Sequence, residues 1–246
     1  MSMKWILCFA AIVLVVTAAY FIAYPTTFYR FRISIQIETP RGLKSESNVL
    51  EVRTRRFPKW TTLGNSGAQS ILMGDATFLN LGTDGSGAKK NIVALLALGE
   101  RAKGIDFKIL PGEAFAPILG QLRVDPQADK AMQLSMLPVG TKVVLQGKLI
   151  PTLVSFENVN DPYSGTVVQA TNLSKTFGDG FNLRDVTLEI VAGGSSWKES
   201  FGNSGVSVTR GVEDKLPFLV SHREELRRLM DDMPPRFQPH FFLFKR

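Results

Sequence analysis

The sequence predicts a mainly β (α+β) fold: an antiparallel β-rich domain with a few short helices and a C-terminal helix, preceded by one transmembrane helix. Three observations predict it. Residues 5–24 carry no charged side chain. Residues 29–38 alternate between apolar and polar types, the period of a half-buried strand. Leu226, Leu229, Met230 and Met233 recur at the spacing of one helix face. The expected organisation is an N-terminal anchor or uncleaved signal at 1–25 and a single β-rich soluble domain at 26–246.

Twenty residues at about 1.5 Å each match a hydrocarbon core of roughly 30 Å. Pro25 ends the segment, and Trp5, Tyr20, Tyr24 and Tyr29 lie near its two ends, where aromatic rings favour the interface. A cleaved signal peptide is the competing reading. Lys4 supplies a short basic start, and Val16-Thr17-Ala18 or Thr17-Ala18-Ala19 a small-residue cleavage site. The apolar run continues through Tyr20-Phe21-Ile22-Ala23, beyond either site, which favours an anchor. Leu7 before Cys8 argues against a lipoprotein site. Lys4 and the amino terminus place the N-terminus inside, whereas Arg30, Arg32, Arg41 and Lys44 pull the other way. Short signal anchors often export the domain behind them, so the expectation is a single pass through a bacterial inner membrane with the domain periplasmic.

The first strand sets Tyr29, Phe31, Ile33, Ile35 and Ile37 against Arg30, Arg32, Ser34, Gln36 and Glu38. Thr39-Pro40-Arg41-Gly42 reads as a type I turn, and a second strand at about 48–56 completes a hairpin. Residues 70–82 and 91–98 read as the arms of another hairpin around Thr83-Asp84-Gly85-Ser86-Gly87. Short helices are expected at Ala116–Leu122, with Pro117 in the first turn, and at Pro126–Leu137. Strands come next at about 142–149, 152–156 and 185–191, with a short one at Val206 and Val208. Ser221-His222-Arg223-Glu224 has the form of a capping box, with Ser221 as N-cap, and Pro234-Pro235 stops the helix it opens. The tail, with Phe241-Phe242-Leu243-Phe244, is expected to be a closing strand or packed segment.

Composition excludes several chemistries. Cys8 is the only cysteine and lies in the apolar segment, so the domain has no disulfide, thiolate ligand or thiol nucleophile. His222 and His240 have no ligand-type neighbour at helical spacing and read as structural or surface residues. Ser195-Ser196-Trp197-Lys198 has serine-x-x-lysine spacing without its companion motifs. Asp84-Gly85-Ser86-Gly87 and Gly178-Asp179-Gly180 read as turns, since phosphate cradles lie between a strand and a helix. In Glu157-Asn158-Val159-Asn160-Asp161, Val159 and Pro162 break a calcium-loop pattern, leaving an Asx turn. No cofactor is expected.

The net charge of +7 is unevenly spread. Between Tyr24 and Lys59 eight basic residues face three acidic ones. Arg30, Arg32, Arg41, Lys44, Arg53, Arg55 and Arg56 are the candidate membrane-surface contacts, each worth on the order of 1 kcal/mol if well placed against anionic headgroups. No nucleic-acid signature accompanies them.

Thr39-Pro40-Arg41-Gly42-Leu43, Leu149 to Ser164, Asn172 to Ile190 and Val206 to Leu219 together resemble a family of proteobacterial proteins with no assigned activity, many with an N-terminal apolar segment. The resemblance spans most of the domain and implies a bacterial source and one continuous domain. It transfers no site residue. The functional expectation is a membrane-anchored envelope protein, non-enzymatic, acting through contacts with a protein partner or lipid. The alternative is an envelope hydrolase drawing on dispersed Ser, Asp, Glu and Lys residues.

Overall fold

The computed structural model describes residues 3–24, 26–58, 67–83, 87, 89–99, 107–121, 130–193, 205–221 and 243–244. α1 (Met3–Ala23) is a helix with none of its apolar length packed against the rest of the chain. Its length and composition suit a single-pass anchor and a signal sequence alike. β1 (Thr26–Thr39) begins two residues after Tyr24.

The strands form two antiparallel sheets. The first runs β10 (Leu243–Phe244), β3 (Ala68–Asp75), β2 (Gly42–Arg56), β1, β9 (Asn182–Val191), β6 (Lys142–Val144). The second runs β4 (Thr77–Thr83), β5 (Lys89–Leu98), β7 (Pro151–Phe156), β8 (Gly165–Val168). Tyr29, Phe31, Ile33, Ile35 and Ile37, the apolar face of β1, enter one connected core with β5, β7 and β9 residues such as Ile92, Leu95, Val154 and Leu188. Short helices α2 (Leu110–Ala114), α3 (Ala116–Leu119), α4 (Lys130–Ser135), α5 (Ser174–Phe177), α6 (Val212–Lys215) and α7 (Phe218–Ser221) pack around the sheets. β5 is buried from Asn91 to Leu98. Both halves of the Asn91 amide bond to the Phe156 backbone, the nitrogen donating to its carbonyl at 2.7 Å and the oxygen accepting from its N–H at 3.0 Å. A side chain thus continues the β5–β7 ladder.

The hairpin predicted at the start is present, with Thr39 paired to Gly42 across Pro40–Arg41. Thr39 Oγ1 accepts from Arg41 N at 3.2 Å and donates to the Gly42 carbonyl at 2.7 Å. β2 starts at Gly42 rather than near 48, because pairing with β1 extends the strand through polar residues that have no apolar pattern of their own.

The expected arm at 70–82 is two strands in two sheets. Ile71 and Leu72 belong to β3, whereas Phe78, Leu79 and Leu81 belong to β4, which pairs with β5. The switch occurs at Ala76. Gly74 sits at φ +122°, and a Cβ there would run into Leu50 and lie 3.2 Å from the Val49 carbonyl. Asn48 Nδ2 donates to the Asp75 and Ala76 carbonyls at 3.1 and 2.9 Å, pairing backbone groups that the switch takes out of the ladder.

Other boundaries shift. The 142–149 strand ends at Val144 and gives way to a 3-10 turn at Gly147–Leu149. Val206 and Val208 form no strand, although Thr209 beside them exchanges bonds with Val49 through its backbone N–H and its hydroxyl, both at 2.9 Å. Ser221 lies inside the turn begun at Phe218, and its Oγ donates to the Pro217 carbonyl at 3.2 Å; the rest of the expected capping box lies outside the described residues. β8 and α5 have no counterpart among the expected elements. Asp161 Oδ1 accepts from Tyr163 N at 2.8 Å, the expected Asx turn. His222, His240, Ser195–Lys198, Asp84–Ser86 and the helical face beyond Ser221 lie outside the described residues.

Candidate functional site

The hairpin register decides where the predicted basic residues stand. Thr26 pairs with Arg55 and Phe28 with Arg53 at the end next to α1. Ile37 pairs with Lys44 at the other end, beside the Pro40–Arg41 turn. The ends of β1 are about 40 Å apart at roughly 3.3 Å per residue. The set therefore divides into Arg53, Arg55 and Arg56 near the apolar helix, Arg41 and Lys44 far from it, and Arg30 and Arg32 between.

Arg30 is withdrawn from the surface that the sequence assigned to it. It is 4% exposed, its Nε donates to a Glu51 oxygen, and its Nη1 donates to the Val206 carbonyl at 2.8 Å. Glu51 is fully buried, and its second oxygen accepts from Arg53 Nε. The buried Arg30–Glu51 pair is a structural clamp, and losing Glu51 would strand the Arg30 charge, at about 3–5 kcal/mol. Residues 205–211 cover this half of the sheet through Val206 and Thr209. Arg32 pairs with Glu189 at 3.2 Å, part-exposed. Arg55 lies 5.1 Å from the centre of the Phe57 ring.

A cavity of about 320 Å³ opens near the tether end, lined by Tyr29, Val52, Thr54, Ser70, Ile109 and Leu134, among others. Burial pushes the Tyr29 phenol well above its ordinary range. The Thr54 and Ser70 hydroxyls are 2.8 Å apart, and Lys130 pairs with Glu113 at 3.0 Å. Among the described residues each of these hydroxyls is paired with the other rather than with a base, the partner that activates a nucleophile.

Another concavity is at the far end, where turns from both sheets meet. It holds about 290 Å³ between Thr39-Pro40-Arg41, Leu81 and Thr83 of β4, Lys90 of β5, and the Phe177-Gly178-Asp179 turn leading to Phe181. Leu81, Phe177 and Phe181 are buried, and the two phenyl rings pack at 5.6 Å. Lys90 Nζ donates to the Phe177 carbonyl at 2.7 Å and stands 5.1 Å from the centre of the Phe181 ring, a cation–π distance. Arg41 reaches across to β4, its Nη1 4.0 Å from where a Cβ on Gly82 would be. One wall closes tightly, because a Cβ on Gly180 would come within 3.0 Å of Pro40 Cγ. Among the described lining residues Asp179 is the one carboxylate.

Sequence reasoning named Arg41 but placed it at the membrane, and passed over Lys90, Phe177 and Phe181. The signal available was Gly178-Asp179-Gly180 between two phenylalanines, a tight turn that presents aromatic rings at both of its ends. The described residues contain no group of three or more His, Cys, Asp or Glu arranged to hold a metal ion. No family model, curated protein or solved structure matches this chain.

Proposed function

We propose that this chain is a non-enzymatic, membrane-anchored protein of the bacterial envelope, acting through protein or lipid contacts. One observation carries the reading: α1 is exposed along its whole apolar length and leads directly into β1, which is flanked on both sides in the first sheet. A bilayer around α1 would cover that surface and hold the sheet through one of its inner strands. Arg53, Arg55 and Arg56 stand at the end of β2 that returns to the tether, where anionic headgroups would meet them first. The resemblance to proteobacterial proteins with an N-terminal apolar segment supports the same placement.

Two measurements test it. The full chain should stay with membranes after alkaline carbonate washing, and deletion of residues 3–24 should release it. Cys8 is the only cysteine. In a Cys8→Ser background, a cysteine replacing exposed Glu38 should therefore react with an impermeant maleimide once the outer membrane is opened. Release of the full chain by carbonate would remove the anchor. Labelling only after lysis of the inner membrane would move the domain to the cytoplasmic side.

A further inference from the structure

We infer that α4 and the turn after it rest on the bilayer that holds α1, with Met132, Met136 and Val139 seated where headgroups meet lipid chains and Ile109 beside them. The inference rests on the reading of α1 as an anchor. The last turn of α4 continues past Ser135, because the Met136 and Leu137 N–H groups donate to the Gln133 and Leu134 carbonyls at 3.2 and 3.3 Å. Leu134 and Leu137 enter the core, whereas Met132 and Met136, four residues apart, share the opposite side of the helix and are exposed. Val139 follows in the turn before β6. Met136 and Val139 are 56% and 66% exposed, and three of the large apolar side chains exposed outside α1 fall within these eight consecutive residues. Single exposed apolar residues are ordinary; a cluster of them marks a contact surface.

The place of this cluster in the fold points to what covers it. Ile109, itself exposed, and the α4 residues Lys130, Ala131 and Leu134 line one cavity with Tyr29 and Thr54. Tyr29 is the fourth residue of β1, about 10 Å along the strand from Thr26. Gly140, next to Val139, donates its N–H to the Ile190 carbonyl at 2.8 Å, and Ile190 pairs with Phe31, the sixth residue of β1. The cluster therefore stands at the tether end, the end at which Arg53, Arg55 and Arg56 return. Only Tyr24 and Pro25 separate α1 from β1. The domain is thus kept at the bilayer, and leaning towards α4 brings these side chains onto it. Exposed Lys130 and Lys142 flank the cluster in sequence, and apolar groups bordered by lysines suit the boundary between headgroups and chains. Methionine, unbranched and flexible, conforms to disordered lipid chains as it does to irregular cores.

A polarity-sensitive dye would be placed on single cysteines of the full Cys8→Ser chain in nanodiscs of phosphatidylcholine and phosphatidylglycerol. Met136→Cys reports on the contact, Val13→Cys on α1, and Leu43→Cys, exposed at the far end of the hairpin, is the control. With a nitroxide high on the lipid chain, the dye at 136 should be quenched several-fold more than the dye at 43. It should keep most of that quenching in salt well above about 0.1 M, which a contact made by charge alone would not. Met132→Glu with Val139→Glu should return it to the level at 43, and both side chains are exposed, so the core is left intact. If a nitroxide near the chain end quenches the dye at 13 while 136 behaves like 43, the anchor stands and the contact is overturned. An unquenched dye at 13 would remove the anchor and the contact with it. Blue-shifted emission at 136 without lipid quenching would place a protein surface there, a second copy included, and would also overturn the inference.

Discussion

Asp75 ends β3 with its carboxylate turned inward, and burial raises its pKa above the ordinary 3.8, with the charge of Glu213 adding to the shift. The backbone N–H groups of Gly211 and Val212 donate to Oδ2 at 2.7 and 3.3 Å and work against that rise without cancelling it. A folded pKa above the unfolded one means the folded state holds its proton more tightly. The protonated carboxyl thus contributes stability below about pH 4, and this contribution is lost as pH rises through the folded value. Asn at this position keeps an acceptor for both N–H groups and has no charge to desolvate. Asp75→Asn should therefore gain stability relative to the native chain between pH 4 and 7, read as diverging urea midpoints; parallel curves would contradict it. Single residues were unevenly legible. The Arg30–Glu51 pair comes from counting outward from the two-residue turn at Pro40–Arg41, so the register was available once the turn was accepted. That the pair would be buried was not, because the segment covering it, residues 205–211, lies more than 150 positions further along the chain.

At the scale of elements, the passage from β3 to β4 is the most demanding point in the chain. Gly74 combines a left-handed φ of +122° with a close approach to Leu50 and to the Val49 carbonyl. Gly74→Ala adds both backbone strain and a clash, and should lower stability by about 2–4 kcal/mol, measured by chemical denaturation of the full chain. An effect below about 0.5 kcal/mol would mean that the switch relaxes at little cost. β1 was legible because its two faces differ, so alternation reports the fold directly. The first half of β2 was not, since Gly42 to Ser47 are held by pairing with β1 rather than by an apolar face. The β3–β4 break was hidden for a different reason. Apolar residues continue on both sides of Gly74-Asp75-Ala76, and periodicity cannot show that successive strands belong to different sheets.

The whole molecule has two unlike ends. One carries the apolar helix and Arg53, Arg55 and Arg56; the other carries the cleft. Closeness in sequence to the helix suggested that Arg41 and Lys44 would face a membrane, and the hairpin carries them away while bringing the later arginines back. This is why the cleft was not legible: its walls come from positions 39–41, 81–90 and 177–181, and only the sheet packing joins them. If the tether-end arginines engage headgroups, a dye on a Gln69→Cys chain in nanodiscs should be quenched more by headgroup quenchers in phosphatidylglycerol than in phosphatidylcholine. Arg55→Glu with Arg56→Glu should abolish that difference, as should salt well above 0.1 M, where the screening length falls below about 10 Å. β1 connects the two ends without interruption, hydrogen-bonded to β2 on one side and β9 on the other. In mechanical terms it is a load path. Tension between the cleft end and a helix held in a bilayer would pull parallel to β1, loading its flanking ladders in shear, many hydrogen bonds together, rather than peeling them apart singly from an edge.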